Sequence, residues 1–142
     1  MTYRVFLDTN ILMDVLVERE PFFLKSQQVL TEIRKLHFTP YLSGSSITDL
    51  YYICRKAGVK RGIILEYLKD LMKNFEVLII DKESINQAIE SGIKDFEDAV
   101  QILACKNGNI DLIVTRNKSD FENDWIEVCT PQEFLANFIK EG

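Results

Sequence analysis

Acidic side chains recur at separated places along this 142-residue chain, and they are the residues best suited to do chemistry. Two of them stand three positions apart in a helical pattern, a spacing that puts both on one face of a helix. Crowded carboxylates repel one another unless a cation joins them, so a cluster would favour a metal site. The candidates are Asp8, Asp14, Asp49, Asp95, Asp98 and Asp120.

Histidine and cysteine offer no competing site. His37 is the single histidine and has no serine or cysteine partner that would make it catalytic, so we interpret it as structural. Cys54, Cys105 and Cys129 form no C-x-x-C pair and are expected to be buried reduced thiols. The remaining oxygen ligands favour Mg²⁺ or Mn²⁺ over zinc. A metal-activated water at such a site suits hydrolysis of a phosphodiester.

Polar residues flank the candidate acids, and each has a purely structural alternative. Thr9, Thr115 and Asn117 are expected to orient water or carboxylates, and Asn10 to cap a helix. Arg116 and Lys118 either hold phosphate or are ordinary surface charges. The acids themselves could be first-turn helix residues, turn residues or exposed helix residues.

Strand-like and helical patterns alternate along the whole chain. Apolar segments predict strands at residues 5–7, 38–42, 75–80, 112–114 and 125–129, and a capping box at residues 130–133 opens a last helix at 134–139. This alternation predicts one domain over residues 1–142, an α/β/α sandwich with a parallel sheet of four to five strands. The polar residues that follow the first and fourth strands should then meet at one edge.

The charge balance limits the partners. A net charge of −5 and a pI near 4.9 argue against broad nucleic-acid binding through a basic surface. They do not exclude a nucleic-acid enzyme whose acidic site is neutralised by a metal. No apolar run is long enough for a membrane helix and no signal-peptide pattern opens the chain, so we expect a cytoplasmic protein.

Four motifs, in this order, resemble the PIN-domain family over essentially the whole chain. They are Leu7-Asp8-Thr9-Asn10-Ile11-Leu12, Ser46-Ile47-Thr48-Asp49, Asp95-Phe96-Glu97-Asp98-Ala99 and Val114-Thr115-Arg116-Asn117-x-x-Asp120-Phe121. The resemblance implies a Rossmann-like domain and a Mg²⁺- or Mn²⁺-dependent endoribonuclease acting on RNA. Many bacterial members are similar to VapC-type toxins, which pair with an antitoxin protein and form homodimers.

The resemblance also implies roles by position. Asp8 and Asp98 would be the central metal ligands, Asp49 a further catalytic acid, and Asp120 or Asn117 the last ligand. The supporting residues would be Thr9, Asn10, Asp95 and Thr115. The sequence departs from the family pattern twice: many relatives have Glu where Asp49 stands and Asp where Asn117 stands, for which Asp120 or Asp95 would compensate.

Two other functions stay open from the sequence. One is a catalytically weak or inactive PIN module that binds RNA or protein, which the Asn117 departure favours. The other is a phosphatase with Asp8 as nucleophile, although the second acid such a site needs is replaced by Asn10. The aromatic residues Phe22, Phe23, Tyr51 and Tyr52 form either a dimer face or part of the core.

Overall fold

The computed structural model describes residues 3–138 and contains one five-stranded parallel sheet of order β3-β2-β1-β4-β5. The strands are β1 (Arg4–Leu7), β2 (Thr39–Ser43), β3 (Glu76–Leu78), β4 (Leu112–Val114) and β5 (Glu127–Cys129). The helices are α1 (Thr9–Leu16), α2 (Phe23–Lys35), α3 (Gly44–Lys56), α4 (Arg61–Asn74), α5 (Lys82–Glu90), α6 (Phe96–Asn107) and α7 (Pro131–Phe138). A short 3-10 helix spans Lys118–Phe121.

The sheet is buried on both faces, which confirms the predicted three-layer α/β/α fold. Successive side chains of a strand point to opposite faces. Val5 and Leu7 accordingly join a core with α1, α2, α3, α4 and α7, whereas Phe6 joins a second core with α6. All three side chains are fully buried. This explains why the opening strand is continuously apolar rather than alternating.

The parallel register brings the ends of β1 and β4 to the same edge. Leu7 pairs with Val114, and the Asp8 N–H donates to the Val114 carbonyl at 3.1 Å. Asp8 and Thr115 are therefore the first residues beyond two neighbouring strands, as the sequence predicted.

Several element boundaries differ from the prediction. β3 is shorter than residues 75–80 because it is an edge strand that pairs with β2 over three residues. β5 begins at Glu127 rather than Trp125, because the Asn123 side chain accepts the N–H groups of Trp125 and Ile126 and holds both in a turn. Helix α2 begins at Phe23, two residues after Pro21.

Helix caps show a further difference. Asp8, not Asn10, is the N-cap residue of α1, and its side chain makes no capping hydrogen bond. The predicted capping box is confirmed, since Glu133 N–H donates to the Thr130 hydroxyl and Thr130 N–H donates to the Glu133 carboxylate. Ile139, the predicted end of the last helix, lies outside the described residues. In residues 3–138 none of the helices has the length and apolarity to span a membrane.

The cysteines and aromatic residues fall into distinct environments. Cys54, Cys105 and Cys129 are buried free thiols, as predicted. Tyr52 is 68% exposed, whereas its neighbour Tyr51 is partly buried. Phe22 lies at the surface beneath the guanidinium of Arg116.

Candidate active site

An open acidic cleft lies where β1 and β4 end, with a volume of about 270 Å³. Five carboxylates line it, and its lining includes no Lys, Arg or His. No ion pair to any of the five is formed within residues 3–138. The lining residues are Asp8, Thr9, Asn10, Asp49, Ile53, Glu97, Asp98, Gln101, Asn117, Asp120 and Phe121.

Asp8 is fixed from the neighbouring strand. Its carboxylate accepts a hydrogen bond from the Thr115 hydroxyl at 2.9 Å, and the same hydroxyl accepts the Asn117 N–H at 3.0 Å. Thr115 is fully buried, so this hydroxyl has little freedom to turn away. One side chain thus orients the carboxylate of β1 and shapes the loop that follows β4.

Helix α6 brings two acids to the cleft and uses a third for its own start. Asp95 is the N-cap, and its carboxylate accepts the Asp98 N–H at 2.9 Å. It does not line the cleft, so of the predicted pair only Asp98 faces it. Glu97 also lines the cleft, and both acids lie in the first turn, where the helix dipole favours negative charge.

Helix α3 contributes Asp49 and is tied to α1 by hydroxyl contacts. Ser43 caps α3, and its hydroxyl lies 3.0 Å from that of Ser46. The Ser46 hydroxyl lies in turn 2.6 Å from the Thr9 hydroxyl. Thr9 therefore links the first turns of two helices that both reach the cleft, which fixes Asp49 relative to Asp8.

The loop after β4 completes the lining. Asn117 precedes the 3-10 helix and Asp120 lies within it, and both side chains are exposed. Phe121, at the end of that helix, is buried against the core beside α6. This anchor fixes the position of Asp120 in the cleft lining.

Asp8, Glu97 and Asp98 each have a raised pKa, so they hold protons more tightly than isolated carboxylates do. Burial and then the neighbouring charges of Asp95, Asp120, Asp8 and Glu97 together raise the pKa of Asp98 to about 6. Burial likewise raises the pKa of Asp8, although the Thr115 hydrogen bond opposes the shift. The pKa of Glu97 is raised by burial and then by Asp49. These shifts indicate negative charge that the protein itself does not compensate.

Asp14 lies outside the cleft, so the structure does not bring it together with the other candidate acids, and its burial also rules out the alternative of an exposed helix acid. Its carboxylate is fully buried and accepts two hydrogen bonds from Arg116, at 2.9 and 3.2 Å. The Ser26 hydroxyl donates a third at 2.9 Å, and Arg19 stands 3.8 Å away. The Arg116 guanidinium also lies 3.7 Å above the Phe22 ring. Asp14 thus anchors the loop after β4.

Both cations predicted to bind substrate already have partners. Arg116 is held by Asp14, and Lys118 donates to Glu133 at 3.1 and 3.2 Å. Neither lines the cleft. Their substrate-binding role stays a prediction, and the geometry favours a structural role for Arg116.

The lining fits a hard divalent cation by the chemistry of its donors, which are carboxylate, amide and hydroxyl oxygens. The raised pKa values of Asp8, Glu97 and Asp98 also favour a bound cation, because a cation would relieve the repulsion between these carboxylates. Within residues 3–138, no three Asp, Glu, His or Cys side chains are already arranged around one point. Binding would therefore require the carboxylates to reorient.

Two polar residues of the cleft were missed by the sequence reasoning. Glu97 and Gln101 line the cleft from α6, and Gln101 is only 6% exposed. Their spacing of four residues, one turn of helix, was the available signal. A glutamine on the same face of α6 as two acids indicates that this buried face borders a polar site and not only the apolar core.

Comparisons with known proteins agree with the observed fold. The PIN domain family matches residues 4–119. Ribonuclease VapC1 of Aquifex aeolicus (strain VF5) is 30% identical over 140 residues, covering 95% of each chain. A toxin-antitoxin complex from Klebsiella pneumoniae shares the fold with a TM-score of 0.67 at 17% identity, over 89% of this chain and 97% of that one.

A second solved structure gives the same fold. Mycobacterium tuberculosis VapC20, a Sarcin-Ricin loop cleaving toxin, aligns with a TM-score of 0.60 at 12% identity, over 77% of this chain and 86% of its own. Because these sequence identities are low, the two structures support the shared fold alone. The family match spans most of the chain and includes the ends of β1 and β4 that form the cleft. The chain therefore belongs to the PIN-domain family.

Proposed function

We propose that this protein is a Mg²⁺- or Mn²⁺-dependent endoribonuclease that hydrolyses RNA phosphodiester bonds in the acidic cleft. The observation that carries the proposal is the convergence of five carboxylates, from four separate parts of the chain, with no cation among the residues that line the cleft. Similarity to Ribonuclease VapC1 over almost the full length supports RNA as the substrate.

The cleft residues have distinct roles in this proposal. Asp8, Asp98 and Asp120 would hold the metal, and Asp49 would act beside them as a catalytic acid. A divalent cation in such a site lowers the pKa of a bound water and stabilises charge on phosphoryl oxygens. Thr115 holds the Asp8 carboxylate in place, and Thr9 joins α1 to α3. Glu97 adds negative charge to the same lining.

The proposed biological role is the toxin of a toxin-antitoxin pair. The Klebsiella pneumoniae structure with the same fold is a toxin-antitoxin complex, and VapC20 is a toxin. An antitoxin protein is therefore the expected partner. A homodimer and a cytoplasmic location, both expected from the family resemblance and the sequence, remain predictions.

RNA cleavage in defined metal provides the test. The purified protein should cleave a labelled single-stranded RNA with Mn²⁺ or Mg²⁺, and EDTA should abolish cleavage. Asp8→Asn should be inactive, whereas Asp124→Asn, an exposed acid outside the cleft, should match the wild type. Cleavage that persists in EDTA or in Asp8→Asn would overturn the proposal.

The inactive binding module is the second candidate, and Asn117 is the observation that favours it. An amide at this position supplies less charge to a cation than a carboxylate. If the wild type binds Mn²⁺ and RNA but releases no product under conditions where a PIN ribonuclease control is active, this second function replaces the first.

A further inference from the structure

One segment of this acidic protein is purely basic. Residues 50–65 contain four cations and no acid, although the whole chain carries a net charge of −5. All four side chains are exposed, and none forms an ion pair within the part of the chain that the structure describes. They are Arg55, Lys56, Lys60 and Arg61, which we call the basic turn.

Two residues of the basic turn, Lys60 and Arg61, do little for the fold, whereas Arg55 and Lys56 lie in the last turn of α3, where the helix dipole favours cations. Lys60 is the N-cap of α4, and Arg61 is its first residue. The N-terminus of a helix carries partial positive charge, so cations there are unfavourable. The Lys60 side chain makes no capping hydrogen bond, and no acid stands in the first turn of α4. The stability of α4 therefore does not explain why Lys60 and Arg61 occur at its start.

A stripe on α3 joins the basic turn to the acidic cleft. Asp49 and Ile53 line the cleft and are four residues apart. Tyr52 and Lys56 follow Asp49 at spacings of three and seven, which places them on the same helix face. Tyr52 is 68% exposed and Ile53 45% exposed. Lys56 lies roughly 10 Å along the helix from Asp49, the rise of about three stacked nucleotides.

We propose that this α3 stripe is the path by which single-stranded RNA enters the cleft, with a base stacked on Tyr52 and phosphates bound by Lys56 and Lys60. The inference rests on the proposed ribonuclease function and adds the surface along which the substrate strand reaches the cleft. Stacking on an exposed aromatic ring requires an unpaired base, and duplex RNA hides its bases. The alternation of an aromatic residue with cations suits a nucleic-acid strand, because phosphates supply the negative charge that the basic turn lacks.

Binding measured without cleavage separates this proposal from the activity itself. A fluorescent 12-nucleotide single-stranded RNA and its duplex are titrated with protein in EDTA, by anisotropy, over a range of salt concentrations. Lys56→Gln combined with Lys60→Gln should reduce the slope of log affinity against log salt by about 1.4, the value for two lost phosphate contacts on a single strand. Tyr52→Leu should weaken single-strand binding about 5-fold or more, and Tyr52→Phe should restore it.

Matched controls make the outcome decisive. Lys73→Gln combined with Lys82→Gln removes the same charge from exposed positions outside the stripe and should leave the slope almost unchanged. Equal effects of the two double variants, or equal affinity for single strand and duplex, would refute the path. Sedimentation of each variant tests whether a second copy of the chain occupies the α3 stripe instead of RNA. A dimer that dissociates in Tyr52→Leu while RNA affinity stays unchanged would also refute the RNA path. Failure of the ribonuclease proposal would instead appear as wild type that binds RNA without cutting it.

Discussion

The guanidinium of Arg116 forms a two-point ion pair with the fully buried carboxylate of Asp14, across 102 residues of sequence. Arg116 stands between Thr115, which holds Asp8, and Asn117, which lines the cleft. The pair therefore fixes the backbone of the loop that carries Asn117 and Asp120. Neither partner lines the cleft; burial raises the pKa of Asp8, and the Arg116 charge only partly opposes this rise.

Removing one partner of this pair should destabilise the protein strongly. Arg116→Met leaves the buried Asp14 carboxylate with only the Ser26 hydroxyl and the longer 3.8 Å contact to Arg19, and the expected loss is about 3–5 kcal/mol of unfolding free energy. Urea denaturation measures it. Lys118→Gln is the control, since it breaks an exposed pair with Glu133 and should cost less than about 1 kcal/mol. Similar losses in both variants would show that the Asp14 pair is not a special anchor.

The Thr115 hydroxyl should control metal affinity through Asp8. Thr115→Val keeps the shape of the side chain but removes the hydrogen bonds to the Asp8 carboxylate and the Asn117 N–H. Loss of such a supporting contact typically weakens metal binding by about 10–100-fold. Calorimetric titration with Mn²⁺ gives the Kd. Thr31→Val, at an exposed helix position, should leave the Kd unchanged.

The pKa of Asp98 should make the stability of the metal-free protein depend on pH. Its value of about 6, above the ordinary 3.8, means that the folded state binds more protons than the unfolded state between these pH values. Stability should therefore fall as pH rises from about 4 to 6. Asp98→Asn removes the repelled charge, so at pH 7 its Tm should exceed that of the wild type by about 3 °C.

The same variant supplies its own checks. At pH 4 the wild-type Asp98 is protonated and the two Tm values should converge. Mn²⁺ should raise the Tm of the wild type more than that of Asp98→Asn, because the variant lacks one ligand. A Tm difference that is identical at pH 4 and pH 7 would show that Asp98 carries no unfavourable charge.

Local sequence patterns were sufficient to predict the positions of some residues in this molecule and insufficient for others. Asp8 could be placed because a strand buried on both faces is continuously apolar and ends abruptly, and parallel topology then puts Thr115 beside it. The position of Asp14 could not be predicted, since its burial depends on Arg116, which lies in a loop 102 residues away in the sequence. Glu97 was not predicted because it adjoins Asp98 in sequence, yet both line the cleft, since the cleft lies at the first turn of α6. The extent of β3 was overestimated because Ile79 is apolar yet 78% exposed.

Restoring a carboxylate at position 117 should strengthen metal binding. Asn117→Asp adds a further anionic oxygen ligand to the lining beside Asp120, and divalent cations bind more tightly as the ligand charge increases. The added charge should also lower the Tm of the metal-free protein, since it joins carboxylates that already repel one another. Tighter Mn²⁺ binding by calorimetry together with a lower metal-free Tm is the expected pair of results. Asn123→Asp is unsuitable as a control because Asn123 bonds the turn before β5, so Asn86→Asp, at an exposed position on α5, serves instead. An Asn117→Asp variant with unchanged Mn²⁺ affinity would mean that this side chain is no ligand, and that Asp120 alone contributes from the loop after β4.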